Sequence, residues 1–159
     1  MAKWGSNEGL KPGEVPSDAI TGDLRTQNNR ISLWKCLSQK QKHIEQIALA
    51  IVASGDYINR VELALIPADL LLHNPDLHDT EGRTPYRKLA SEHCELTSLD
   101  GVRLVQVARL IADSIGKKLT CTIPKRRLME ITRNAIEQGH IDPADLSDEL
   151  RKRVSFLNQ

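Results

Sequence analysis

Residues 99–115 constrain the fold of this chain more than any other segment. Leu99, Val102, Leu104, Val105, Val107, Ala108, Leu110, Ile111, Ala112 and Ile115 leave only a narrow polar strip of Asp100, Arg103, Gln106 and Asp113. A helix that is apolar around most of its circumference has to be enclosed by other elements. The segment is therefore expected to be the central helix of a bundle, capped by Ser98 and stopped by Gly116.

Further helical patterns supply the enclosure. Ser38 and Gln41 have the spacing of a capping box, and Ile44, Ile47, Ala48, Ile51 and Val52 follow as one apolar stripe, so a helix is expected over 38–54 with Gly55 as its stop. Pro67 opens a short helix to His73, and Thr84-Pro85 opens another to Cys94. Pro124 begins a helix that runs to Gln138 and is closed by Gly139. After Asp142-Pro143, the residues Leu146, Leu150, Val154 and Leu157 recur at helical steps and mark the last helix. Two segments read either way: 57–66 suits a short helix or a strand, and Leu119, Cys121 and Ile123 alternate as in a strand. The expected fold is mainly α, a single compact bundle of five or six helices over 31–159. It leaves room for one short two-stranded element pairing 61–65 with 119–123.

Residues 1–30 differ from the rest. Four of the nine glycines fall there, with Pro12, Pro16, Asn28 and Asn29, and few apolar residues lie between them. They are expected to form a leader that is flexible or pinned by a partner, with Trp4 as a possible anchor. A chain with 40% hydrophobic and 27% charged residues is expected to fold. Its longest apolar run, Ile47 to Ala53, is far short of the ~20 residues of a membrane span. No secretory apolar stretch follows Met1, and the three cysteines at 36, 94 and 121 include no C-x-x-C pair. Both features point to the cytoplasm.

Charge is uneven along the chain. Residues 117–133 hold Lys117, Lys118, Lys125, Arg126, Arg127 and Arg133 against Glu130 alone, a net of +5, which leaves −4 for the rest of a chain whose total is +1. Lys125, Arg126 and Arg127 occupy the first turn of a helix, where the macrodipole disfavours cations by ~0.3–1 kcal/mol each. A local rule broken without local gain marks a candidate binding place for an anion. The competing reading pairs these cations with Asp142, Asp145, Asp148 and Glu149 one helix later. If the cations face outward, changing Lys125, Arg126 and Arg127 together to Ser leaves the thermal midpoint unchanged or slightly raised.

Catalytic signatures are scarce. The chain has no G-x-S-x-G, G-x-x-x-x-G-K-[ST] or G-x-G-x-x-G. His73, Asp76, His78 and Asp79 form the one ligand-like cluster, but Pro75 between the histidines keeps them off one helical face. The basic segment carries no aromatic residue on which a base could stack. The sequence reading is a small cytoplasmic helical binding protein, an adaptor, regulator or inhibitor without enzyme activity or cofactor. Its contact is Lys117, Lys118, Lys125, Arg126, Arg127 and Arg133, aided by Trp4, against an acidic protein surface. The alternative partner for the same patch is a nucleic-acid backbone; a distant third reading is a metal-dependent enzyme around His73 and His78.

Overall fold

The computed structural model describes residues 15–24, 26–71 and 76–155. In chain order the elements are α1 (Ser17–Asp23), β1 (Ile31–Trp34), α2 (Gln41–Ala53), β2 (Val61–Ala64), β3 (Leu77–Asp79), β4 (His93–Leu96), α3 (Gly101–Gly116), β5 (Thr120–Ile123), α4 (Lys125–Glu137) and α5 (Asp148–Ser155), with 3-10 turns at Ala68–Leu70, Arg87–Glu92 and Pro143–Asp145. The strands form two small antiparallel sheets, one of order β1-β4-β3 and one of β2 with β5. The expectation of a helical bundle is thus corrected: 16% of the structure is strand, organised in two sheets where at most one strand pair was foreseen. The 61–65 and 119–123 segments do pair, and Leu65 N–H extends the ladder to Leu119 O at 2.8 Å. Ile31–Trp34, Leu77–Asp79 and His93–Leu96 were not expected as strands. Runs of three or four residues are too short for their period to separate strand from helix. None of the described helices is long and apolar enough to cross a membrane.

By internal contacts the chain divides into two compact units. The first takes the described residues within 1–33, 62–78 and 94–121. Its core is Leu96, Leu99 and Val107, packed by Ile31, Leu33, Leu77 and Ile111. Asn28 and Asn29 both take the left-handed conformation, φ 53° and 57°, in a two-residue turn closed by paired Gln27 and Arg30 backbones. Asn is among the few residues that tolerate this geometry at both turn positions. Asp100, not Ser98, caps α3, its carboxylate accepting from Arg103 N–H at 2.8 Å. The Arg103 guanidinium pairs with Asp76 and donates to Ser98 O.

The central role expected for 99–115 is also corrected. Of α3, only Val107, Ala108 and Ser114 are buried, while Val102 is 69% and Val105 36% exposed. One side of the helix covers the Leu96–Leu99 core and the Val102–Val105 side does not. Apolar composition set an upper limit on burial here, not its value.

The second unit takes the described residues within 34–61, 79–93 and 122–159. Helix α2 buries Ile44, Ile47, Ala48, Leu49, Ala50, Val52 and Ala53, close to the expected stripe. It packs against α4 and the Arg87–Glu92 turn, and α5, with Leu150 and Val154 buried, packs on α4. The capping box does not form: Lys40 is the N-cap without a side-chain bond, Ser38 Oγ takes Lys40 N–H, and Gln41 donates to Glu45. The helix expected over 85–94 is a 3-10 turn. Arg87 N–H already closes on Pro85 O at 3.0 Å, and buried Thr84 ties the segment to α2 by donating to Ala50 O at 2.8 Å. Likewise 67–73 yields only the Ala68–Leu70 turn among its described residues. Gly139, at φ +68°, ends α4 as expected, and His140 N–H returns to Ala135 O.

Gly82 lies where backbone, Trp34 and His93 meet. The Trp34 and His93 rings stand edge to face, centroids 5.1 Å apart, and His93 Nδ1 bonds Thr80 Oγ1 at 2.9 Å. A Cβ on residue 82 would lie 3.0 Å from His93 Cβ and 3.1 Å from Trp34 Cη2. Gly82→Ala is therefore expected to destabilise by about 1–3 kcal/mol in urea unfolding. An unchanged midpoint would mean that the two rings give way freely.

Candidate functional site

The start of α4 is set by Pro124, whose fixed φ of −70° and missing N–H suit the N-cap position it occupies. The three cations that follow have different fates. Arg127 turns inward: Nε and Nη2 donate to the two Glu45 oxygens at 3.0 and 2.7 Å, and Nη1 reaches Glu130 at 2.8 Å. The Glu45 side chain is only 12% exposed, yet the Arg127 hydrogen bonds outweigh burial and hold its carboxyl below the usual range, with Gln41 assisting. The same two carboxylates raise the Arg127 guanidinium further above its ordinary value. Lys125 and Arg126 are exposed and have no ion pair among the described residues.

The acidic run does not claim these cations. Asp142 caps Ala144 N–H at 2.8 Å, Asp148 pairs with Arg151 and Glu149 with Lys152. Among the described residues, internal pairing is real for Arg127 alone, through Glu45 and Glu130 rather than the following helix. The triple change to Ser would therefore remove a fold contact along with two outward charges. Arg133, half-buried on α4, has a buried Nε without a hydrogen-bond partner among the described residues.

Lys117 and Lys118 belong to the first unit, and the four α4 cations to the second. Both lysines are exposed at the end of α3, where the macrodipole favours cations. Lys118 takes the left-handed conformation expected of Gly116, and its N–H closes on Ile115 O. Trp4 and His73 lie outside the described residues. His78 is exposed on β3, while Asp79 pairs with Lys35 at 2.6 Å and Asp76 with Arg103. No group of three or more His, Cys, Asp or Glu able to hold a metal occurs among the described residues.

Beside Arg127, an open cleft of about 460 Å³ runs along α2 and α4. Leu49, Ile131 and Ala135 give it apolar surface, and Gln41, Gln46, Asn134 and Gln138 bring four carboxamides. Gln46 donates to the Tyr86 hydroxyl at 3.2 Å, which fixes one wall. Beyond α4, His140 Nε2 lies 2.8 Å from Lys88 Nζ; an ammonium can only donate, so the imidazole nitrogen accepts. Apart from Arg127, sequence reasoning missed this place. Arg127, Ile131, Asn134 and Gln138 recur at steps of four, three and four, a stripe that helical periodicity exposes. Nothing local in the sequence signals Tyr86 or Glu45.

Comparison with protein-family models, curated proteins and solved structures finds no match.

Cys36 is a half-buried free thiol. Cys36 donates to Ser38 O at 3.3 Å, and burial pushes its pKa up, with the Glu92 charge adding to the rise. It is held as a thiol, not as the thiolate a nucleophile requires. The α2–α4 face presents a cleft lined by four carboxamides together with Lys42, Glu45 and Arg127.

Proposed function

We propose that this chain is a small binding protein, of adaptor or regulator type, that holds an acidic segment of a partner protein at the start of α4. One observation carries the reading: Lys125 and Arg126 stand exposed, with no ion pair among the described residues, at the helix pole where cations are disfavoured, beside an Arg127 already committed to Glu45 and Glu130. Two cations left there without an internal partner gain most from an anion supplied from outside. A nucleic-acid backbone fits less well, because such binders typically neutralise about six to ten phosphates. The contact proposed at the start of α4 brings two cations, Lys125 and Arg126.

An oligoglutamate peptide and a random duplex DNA, each followed by fluorescence anisotropy at low and at physiological salt, test this. The peptide is expected to bind at low salt and to weaken gently as salt rises. Tighter binding of DNA with a steep salt dependence would move the reading to nucleic acid. Binding of neither would end it.

A further inference from the structure

The geometry points to an extended peptide as the occupant of the α2–α4 cleft, with acidic residues at both ends of about a five-residue span and uncharged residues between. This rests on the reading of Lys125 and Arg126 as the contact for an acidic partner, and adds the length and charge pattern of the bound segment. Length comes first. Arg127 and Gln138 line the cleft eleven positions apart on one helix. At 1.5 Å per residue they are about 16 Å apart, the length of roughly five residues of extended chain. The shape suits a strand-like ligand better than a compact one.

The lining agrees with that shape. The carboxamides of Asn134 on α4 and Gln138 at its C-cap, one turn apart, have no hydrogen-bond partner among the described residues. Each offers a donor and an acceptor, the same pair that a peptide group presents. Between them Ala135 leaves room for a side chain against Leu49 and Ile131. Charge then fixes the ends. Lys125 and Arg126 directly precede Arg127 without lining the cleft themselves, and at the other end Lys88 is held by His140, which does line it. The rest of the lining is amides and apolar residues, with Lys42 beside Gln41 at the start of α2 and Glu45 neutralised by Arg127.

The probe is a blocked peptide of Thr-Val-Thr flanked on each side by Glu-Glu, compared with the same residues scrambled so that the glutamates adjoin at the centre. Binding is followed through the side-chain amide signals in a ¹⁵N–¹H spectrum. The flanked peptide is expected to bind more tightly and to shift the Asn134 and Gln138 carboxamide signals. The double variant Asn134→Ala, Gln138→Ala, at two exposed positions, should weaken it at least about fivefold, the loss of two neutral hydrogen bonds, with its salt dependence unchanged. If oligoglutamate binds but the carboxamide signals stay still and the double variant binds as wild type, the cleft is not the seat and the cationic contact stands alone. Equal affinity for the scrambled peptide would overturn the charge pattern. If no acidic peptide binds at low salt, the contact reading falls as well.

Discussion

Leu128→Ala is expected to lower the unfolding free energy by about 2–5 kcal/mol, whereas Val102→Ala changes it by no more than about 0.5 kcal/mol. Both residues are aliphatic and helical. They differ in what surrounds them: Leu128 is fully buried on α4 and Val102 is 69% exposed on α3. Deleting Leu128 leaves a cavity in the interior of the second unit, and the loss of contacts adds to the lost transfer energy. At Val102 there is little buried surface to lose, and Ala is the better helix former. Thermal midpoints should separate by roughly 5–15 °C between the two variants. If Val102→Ala costs as much as Leu128→Ala, α3 is enclosed after all, as its composition implies.

Arg127→Met should cost about 1–2 kcal/mol at neutral pH, a value kept modest because the Arg127 side chain is 40% exposed. It strands Glu45, whose side chain is nearly buried and which loses both of its guanidinium bonds. The more telling effect is on pH dependence. In the native protein Arg127, chiefly by hydrogen bonding, holds the Glu45 carboxyl below its usual range. The unfolded chain therefore binds more protons than the folded one, and the stabilisation is complete above the ordinary Glu value of about 4.3. It is lost as pH falls through the depressed folded value. Wild type and variant should thus differ most near neutrality and converge in acid, measured as urea unfolding at a series of pH values. A gap that stays constant down to the acid limit would show that the pair contributes through packing alone.

How far the sequence reveals this molecule depends on whether a signal is covalent or collective. Pro124 and Gly139 fix the backbone where they stand, and α4 begins and ends there as read. The stripe of α2 spans thirteen helical residues, enough turns for the period to be unambiguous. The strands were lost because a three- or four-residue run such as His93–Leu96 carries no decisive period, and its partners β1 and β3 lie far away in sequence. Composition misled at α3, where Val102 and Val105 look like core and face outward. The charge excess was visible by counting, but its division was not. Only tertiary structure brings Glu45 to Arg127 across 82 positions and leaves Lys125 and Arg126 unpaired. The cleft has the same origin: its α4 stripe is periodic, and Tyr86 reaches it from a turn that the sequence presented as a helix.

The central claim is that Lys125 and Arg126 serve a contact outside the fold. The variant Lys125→Ser, Arg126→Ser, compared with wild type for both thermal midpoint and affinity for oligoglutamate, tests it in one preparation. The account predicts a midpoint unchanged or slightly higher, since cations leave the positive helix pole, with affinity reduced about tenfold, two charge-assisted contacts being lost. A lower midpoint with affinity intact would place both side chains in the service of the fold and contradict it.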